Sequence, residues 1–359
     1  MRFDLGDEHS LLRSSTRELL EQEAPLSEMR SVMEQSIEGY SKPLHSKLGD
    51  LGYPGLLLPE ADGGMGPIAF AVVLEEMGRV ALPGPFLDQA LAVWLLAACE
   101  NKVAAEWCRR AAKGDTLVVL ARREWGARTA RSVATPSFSD GRVRGRATFV
   151  PFGAQADALL VETNEGLVLA ERPGTGWEAQ DLPTLDHAQR FAEIELDVAG
   201  ALVADSSTAR SALAKIDPLA ALGAAAMLLG VMDRALEVTT AYLSERSAFG
   251  APIGSFQALQ HRCADMLLQT ESARSAVYRA SWAAESGAPD DAYLAAVAKA
   301  YAGPAARFVC GQALQLHGGV GFTWEYDLHI YLKRTKTLEQ FHGSTGSQIE
   351  AALLLRDAQ

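Results

Sequence analysis

The chain has 359 residues, 48% of them hydrophobic and 22% charged, with a net charge of −12. That length supports two or three domains around a sizeable core, and the acidic balance argues against nucleic acid or anionic lipid as a main partner while leaving local basic clusters free to bind an anion. Cys99, Cys108, Cys263 and Cys310 show no metal-type or redox-type spacing, so reduced, buried thiols and no metal site are expected. The acidic start, Met1 to Glu8, lacks the apolar core of a signal peptide, and the longest apolar run, Leu219 to Met232, falls short of the roughly 18–20 residues that span a bilayer. A cytoplasmic protein without membrane partners is expected.

In chain order, residues 1–113 read as helical. Glu8 to Glu23 places Leu11, Leu12, Leu19 and Leu20 at helical spacing. Gly-rich turns at Leu51–Gly55 and Pro59–Gly66 follow, then helical runs at Ala69–Val80 and Leu87–Ala98, separated by Pro83-Gly84-Pro85. The character changes at Lys113-Gly114-Asp115. Residues 114–205 carry short apolar runs, Thr116–Ala121, Ala147–Pro151, Ala158–Val161 and Leu167–Ala170, divided by turn signals such as Ser139-Asp140-Gly141 and Asn164-Glu165-Gly166. Residues 206–359 return to helix: Leu219–Glu245, Gln257–Glu285, Asp290–Leu316 with a kink expected at Gly303-Pro304, and Tyr331–Glu339. Helical, β and helical segments in that order define an α+β chain.

Two stretches carry the chemistry. Arg246-Ser247-Ala248-Phe249-Gly250 closes the long apolar helix, and Pro252-Ile253-Gly254-Ser255-Phe256-Gln257 follows it. A guanidinium here can pair bidentately with a pyrophosphate, with aromatic rings and an amide beside it for a base. Downstream, Gln315-Leu316-His317-Gly318-Gly319-Val320-Gly321-Phe322 runs into Trp324-Glu325-Tyr326. Glycines there let backbone approach a diphosphate or a ring without a Cβ in the way. The chain then reaches Phe341-His342-Gly343-Ser344. Pro59-Glu60 with Gly63-Gly64-x-Gly66 can shape a site entrance, and Glu75-Glu76-Met77-Gly78 marks a solvated or packed helix face.

Together these stretches resemble the acyl-CoA dehydrogenase family, whose pattern Arg-x-x-Phe-Gly-x-x-Ile-x-x-Phe-Gln is matched in full at 246–257. The resemblance runs from about Asp7 to Leu355. It implies the acyl-CoA dehydrogenase fold: an N-terminal helical domain (1–113), a middle β-barrel-like domain (114–205) and a C-terminal four-helix bundle (206–359). It also implies FAD, an acyl-CoA substrate and electron-transfer flavoprotein as acceptor. Arg246, Phe249, Phe256, Gln257, Gln315, Gly318 and Gly319 are the implied cofactor contacts, and in the family this motif reaches the FAD of a neighbouring subunit.

The pattern breaks at the flavin ring and at the base. Where the family's β domain holds the ring through a Thr-Glu-Pro … Gly-Ser-Asp stretch, this chain reads Leu120-Ala121-Arg122-Arg123-Glu124-Trp125-Gly126. At the family's Trp-x-Thr/Ser it reads Phe149-Val150-Pro151, and a proline has no N–H to donate. The family's catalytic Glu is replaced by His342, and its alternative place on the long helix falls on Ala220. Asp217, before Pro218, is expected to cap that helix, and Glu339 to face solvent. The chemistry removes an α proton from a thioester while the β carbon gives hydride to the flavin, which needs a desolvated base. Intact and broken halves together resemble the base-lacking subunit of α2β2 acyl-CoA dehydrogenases of steroid side-chain degradation, with a paralogous subunit supplying the base. A self-sufficient homotetramer using His342 or Asp217, and a non-catalytic acyl-CoA-binding or structural paralogue, are the alternatives.

Overall fold

The computed structural model describes residues 5–122, 135–172 and 176–357. Six helices come first: α1 (Asp7–Glu23), α2 (Leu26–Gln35), α3 (Lys42–Asp50), α4 (Gly66–Arg79), α5 (Phe86–Ala98) and α6 (Lys102–Ala112). Seven strands follow: β1 (Val118–Ala121), β2 (Ser137–Ser139), β3 (Arg142–Pro151), β4 (Ala158–Glu162), β5 (Gly166–Glu171), β6 (Trp177–Leu182) and β7 (Phe191–Asp205). The last part holds α7 (Ser206–Glu245), a two-stranded ribbon of β8 (Ser247–Ala248) and β9 (Ala251–Pro252), α8 (Gln257–Glu285), α9 (Asp291–His317), α10 (Leu328–Gln340) and α11 (Thr345–Asp357). The chain packs as two compact units: Met1–Glu28, Pro67–Leu82 and Ala221–Gln359 in one, Met29–Gly66 and Pro83–Ala220 in the other.

The second unit contains the sheet, in the order β1-β4-β5-β7-β3-β2 with β6 also on β7. The expected turn at Asp140-Gly141 joins β2 to β3 with φ of 53° and 70°, the two left-handed residues of a type I′ hairpin. β1, β4 and β5 are buried along nearly their whole length, as continuous apolar runs should be. β7 is different. Ala192, Ile194, Leu196 and Val198 face the core, while Glu193, Glu195 and Asp197 alternate with them. On the polar side Arg142 pairs with Asp197 at 2.8 Å and Arg144 reaches the same carboxylate at 3.3 Å. The Pro59–Gly66 loop is also in this unit. Leu56 O accepts from both Met65 N and Gly66 N, and a Cβ at Gly64 would lie 1.6 Å from Leu58 O. These glycines are demanded by the turn itself.

The first unit is helical, and α7, which begins in the second unit, runs on into it from Ala221. Residue 205, not 217, caps α7: Asp205 Oδ1 accepts from Ser207 N at 3.0 Å and Thr208 N at 2.8 Å. The helix therefore starts at Ser206 and carries Pro218 inside it, which corrects the expectation that Asp217 begins it. It is a single 40-residue helix, long and apolar enough by length and composition to cross a membrane, and 78% of its most apolar window is buried within the protein. α7 crosses α4 with no side chain between the two backbones. A Cβ on Gly230 would sit 1.8 Å from Glu75 O, and one on Gly78 would sit 2.1 Å from Met227 O. Gly230→Ala is expected to lower stability by about 3 kcal/mol, the upper end for an overpacked core, read as a fall in the urea midpoint.

Next to that crossing lies a buried ion network. Glu75 and Glu76 are each 1% exposed. Glu75 accepts from Arg13 at 3.2 Å and also from Arg274 and Tyr278. Arg17 grips Glu76 with both Nε and Nη2, at 2.8 and 2.7 Å. Arg79 and Arg274 share Asp233, at 3.1 and 2.7 Å. The charged tetrad side of α4 is thus a packed face, and it joins α1, α4, α7 and α8.

Candidate functional site

The long helix α7 ends at Glu245, and Arg246 N donates to Tyr242 O at 2.9 Å. The ribbon that follows turns through Phe249 and Gly250, with φ of 56° and 83°. A two-residue turn with both φ positive matches the twist of the strands and normally selects Asn-Gly or Gly-Gly. Phenylalanine in the left-handed region costs about 1–2 kcal/mol. Its side chain is 97% exposed, so packing within the chain returns nothing for that strain. Phe256 is half-buried, with its ring edge-on to Phe249 at 6.3 Å. Gln257 opens α8 and, like Arg246, is exposed.

The glycine turn caps α9. Gly318 has φ 63° and ψ −140°, a backbone state kept for glycine. A Cβ at Gly318 or Gly319 would meet nothing within 4 Å, whereas one at Gly321 would lie 2.8 Å from Leu314 O. Gly321 serves the chain's own packing. The space beside Gly318 and Gly319 is open, and Gln315 is exposed one turn earlier. The structure joins this turn to the Arg246 ribbon through one ring contact: His317 stacks on Tyr242 with centroids 4.2 Å apart.

His342 sits in the turn between α10 and α11. It is 4% exposed, has φ 57°, and tilts against Phe341 at 4.1 Å. Its carbonyl accepts from Gln348 Nε2 at 3.0 Å. Glu339 does not face solvent, contrary to expectation. It is 3% exposed, and its carboxylate accepts from Arg307 at 2.9 Å. The helical phase that carries Leu338 inward also carries residue 339 toward α9. Beneath it lies Lys299, 1% exposed, whose Nζ donates to Glu339 O at 3.2 Å and Gly343 O at 2.8 Å. These carbonyls at the end of α10 and in the turn would otherwise lack helical partners. Sequence reasoning missed Lys299, although a single lysine inside Ala295-Ala296-Val297-Ala298-Lys299-Ala300 was the available signal.

Burial pushes the Lys299 ammonium down to about 7 from its ordinary 10.5, with the Glu339 carboxylate opposing the shift. Between those values the unfolded chain holds a proton that the folded chain has released. Stability from this group therefore rises with pH across that window, and the cost of the buried charge is felt in full below it. Urea midpoints measured from about pH 7 to about pH 10 should show that rise, and Lys299→Met should flatten it.

Asp217, the other candidate base, lies inside α7 at half exposure and is paired with Arg122, which also reaches Glu162 at 3.3 Å. In the sheet, Phe149 stands at an irregularity between Ala147 and Val150 with φ 54°, and Pro151 pairs across from Phe191. No N–H is available at Pro151. Arg123, Glu124, Trp125 and Gly126, the rest of the altered stretch, lie outside the described residues.

A helical N-terminal part, a central sheet and a helical C-terminal part, with an Arg-x-x-Phe-Gly ribbon and an open Gly-Gly turn, make up the acyl-CoA dehydrogenase fold. The chain belongs to the acyl-CoA dehydrogenase family: residues 6–115 match its N-terminal domain and residues 219–353 its C-terminal domain. It is similar to acyl-CoA dehydrogenase IpdE2 of Mycolicibacterium smegmatis, 32% identical over 351 residues, covering 96% of this chain and 97% of that protein. Among solved structures it is similar to a variant of the Tcur3481-Tcur3483 steroid ACAD, with a TM-score of 0.86 and 28% identity over 99% of each chain. It is also similar to a chain of the ChsE4-ChsE5 complex from Mycobacterium tuberculosis, with a TM-score of 0.84 and 26% identity over 100% of both.

Proposed function

We propose that this chain is an FAD-dependent acyl-CoA dehydrogenase subunit that works with a paralogous subunit, which supplies the base and the flavin-ring pocket. The observation that carries the proposal is the mismatch between its two halves. Phe249 is held in strained backbone and left 97% exposed, and the Gly318-Gly319 turn is open, while the family's base position holds His342. The nearby carboxylate of Glu339 is occupied by Arg307. Two solved relatives above 25% identity are named as pairs, the Tcur3481-Tcur3483 steroid ACAD and the ChsE4-ChsE5 complex. A bulky, steroid-derived acyl-CoA is the substrate class this supports, with electron-transfer flavoprotein as the electron acceptor.

The residues present fit the nucleotide end of FAD. Arg246 would pair with the diphosphate, Phe249, Phe256 and Gln257 would flank the adenine, and Gln315 with the Gly318-Gly319 backbone would line the other side. When bound, FAD supplies the acceptor for hydride from the β carbon of the thioester. This chain's part is to bind and orient: the ribbon and the glycine turn offer one cation, four aromatic or amide side chains and backbone without Cβ.

Co-expression with a paralogous subunit that carries Glu at the base position should give a yellow complex with both subunits in equal number and an FAD absorbance spectrum. A yellow, active homo-oligomer made from this chain alone would instead favour His342 as base, a reading supported by its buried ring. A preparation that stays colourless with every paralogue would leave only acyl-CoA binding or a structural role.

A further inference from the structure

We infer that His317, stacked between Tyr242 and Tyr326, is the positioning residue that holds the two halves of the nucleotide cradle in register. The link itself stands on geometry, and its consequence for the flavin rests on the cradle reading above. His317 is the last residue of α9 and 3% exposed. Its ring lies 4.2 Å from that of Tyr242 at an interplanar angle of 24°, and 5.0 Å from that of Tyr326 at 47°.

Each tyrosine leads to one half of the cradle. Tyr242 O accepts from Arg246 N at 2.9 Å, and Arg246 O accepts from Ile253 N at 2.8 Å, which closes the ribbon. The residue whose ring packs on His317 therefore also fixes the backbone of Arg246. On the other side, His317 directly precedes Gly318, and its Cβ would lie 2.9 Å from a Cβ at Gly321. The turn is wrapped around it. Tyr326 N donates to Thr323 O at the end of the same turn. A shift of the His317 ring moves the guanidinium and the open glycines together.

The protonation state suits a stacking role. His317 Nδ1 lies 2.8 Å from Ala313 O. A carbonyl can only accept, so Nδ1 carries the hydrogen and a neutral ring keeps its lone pair on Nε2. Nε2 is buried without a hydrogen-bond partner, and burial pushes the ring's pKa down, so the imidazole stays neutral between two phenol rings. A second N–H there would lack an acceptor. Ring area and planarity, not charge, are what the position uses.

The test is hydrogen exchange on the full-length chain. H317A should speed exchange about tenfold in both segments 242–257 and 315–326, from the loss of two ring contacts, while α1 exchanges as in the wild type. In the co-expressed complex H317A should lower FAD content. H317F keeps a ring of similar size and should restore both readouts, which a loss of hydrogen bonding would not allow. Faster exchange confined to one segment, or H317F as disturbed as H317A, overturns the link. Should H317A fail to fold, Tyr326→Ala, at a half-buried position, is read in the same way: both segments respond or the link is wrong. Coupled exchange with FAD fully retained in both H317A and R246A would remove the cradle reading and leave the link standing.

Discussion

Arg246→Ala is expected to strip flavin from the assembled enzyme. The side chain is exposed at the end of α7, so its removal leaves no buried group unpaired and no cavity. Loss of flavin can then be read as loss of contact and not as misfolding. Hydrogen bonds to a charged partner contribute about 1.5–3 kcal/mol, which corresponds to roughly 10- to 100-fold weaker binding. Arg246→Lys keeps the charge but not the planar fork, and should fall between the two. The measurement is FAD per complex after gel filtration, by absorbance, with the urea midpoint as a control. Full flavin content in Arg246→Ala at an unchanged midpoint would remove this side chain from the cofactor site.

Glu75→Leu should produce a large loss of stability. It leaves the Arg13 and Arg274 guanidiniums and the Tyr278 hydroxyl around a site that no longer holds their common acceptor. Breaking one partner out of a buried ion cluster costs about 3–5 kcal/mol. Arg13 and Arg274 are 29% and 24% exposed, so water can reach part of each and the lower end, about 3 kcal/mol, is expected. Arg144→Ala on the sheet surface is the contrast. That side chain is 45% exposed and its pair with Asp197 is worth about 0–1 kcal/mol. Equal urea midpoints for Glu75→Leu and Arg144→Ala would show that the cluster contributes no more than a surface pair.

Much of the fold was legible, and the exceptions have specific causes. Periodic apolar spacing located α1, α8 and α9 to within a residue or two, because long amphipathic helices repeat their signal many times. Asp140-Gly141 announced its hairpin because the dipeptide suits left-handed backbone. β7 was missed although its alternation of Ala192, Ile194, Leu196 and Val198 with acidic residues is regular. The sequence reading looked for apolar runs, and the acidic residues at 193, 195 and 197 break up any run over the first half of this strand. The start of α7 was misplaced because Pro218 reads as a helix beginning, while the cap at Asp205 and the twelve helical residues before the proline carry the helix through it. Glu339 was misread because a carboxylate next to a turn looks solvated until Arg307, a full 32 residues earlier, is seen beside it.

The Arg-x-x-Phe-Gly-x-x-Ile-x-x-Phe-Gln pattern was readable residue by residue, since its spacing is sequential. The groups that hold its two halves together were not. Tyr242 and His317 are 75 residues apart by number, and nothing local marks either as half of a ring stack. Lys299 is equally silent, because its partners are backbone carbonyls, which leave no trace in side-chain patterns.

Four large rings in the ribbon and the glycine turn are at least partly exposed: Phe249 at 97%, Phe322 at 71%, Trp324 at 49% and Phe256 at 38%. Apolar surface of this kind attaches to whatever it meets first. Synthesis of the chain must therefore be matched in time and amount to something that shields those rings, and unmatched production should end in inclusion bodies. Placing its coding sequence next to that of a shielding protein, so that both emerge from one transcript, is the arrangement such a surface favours.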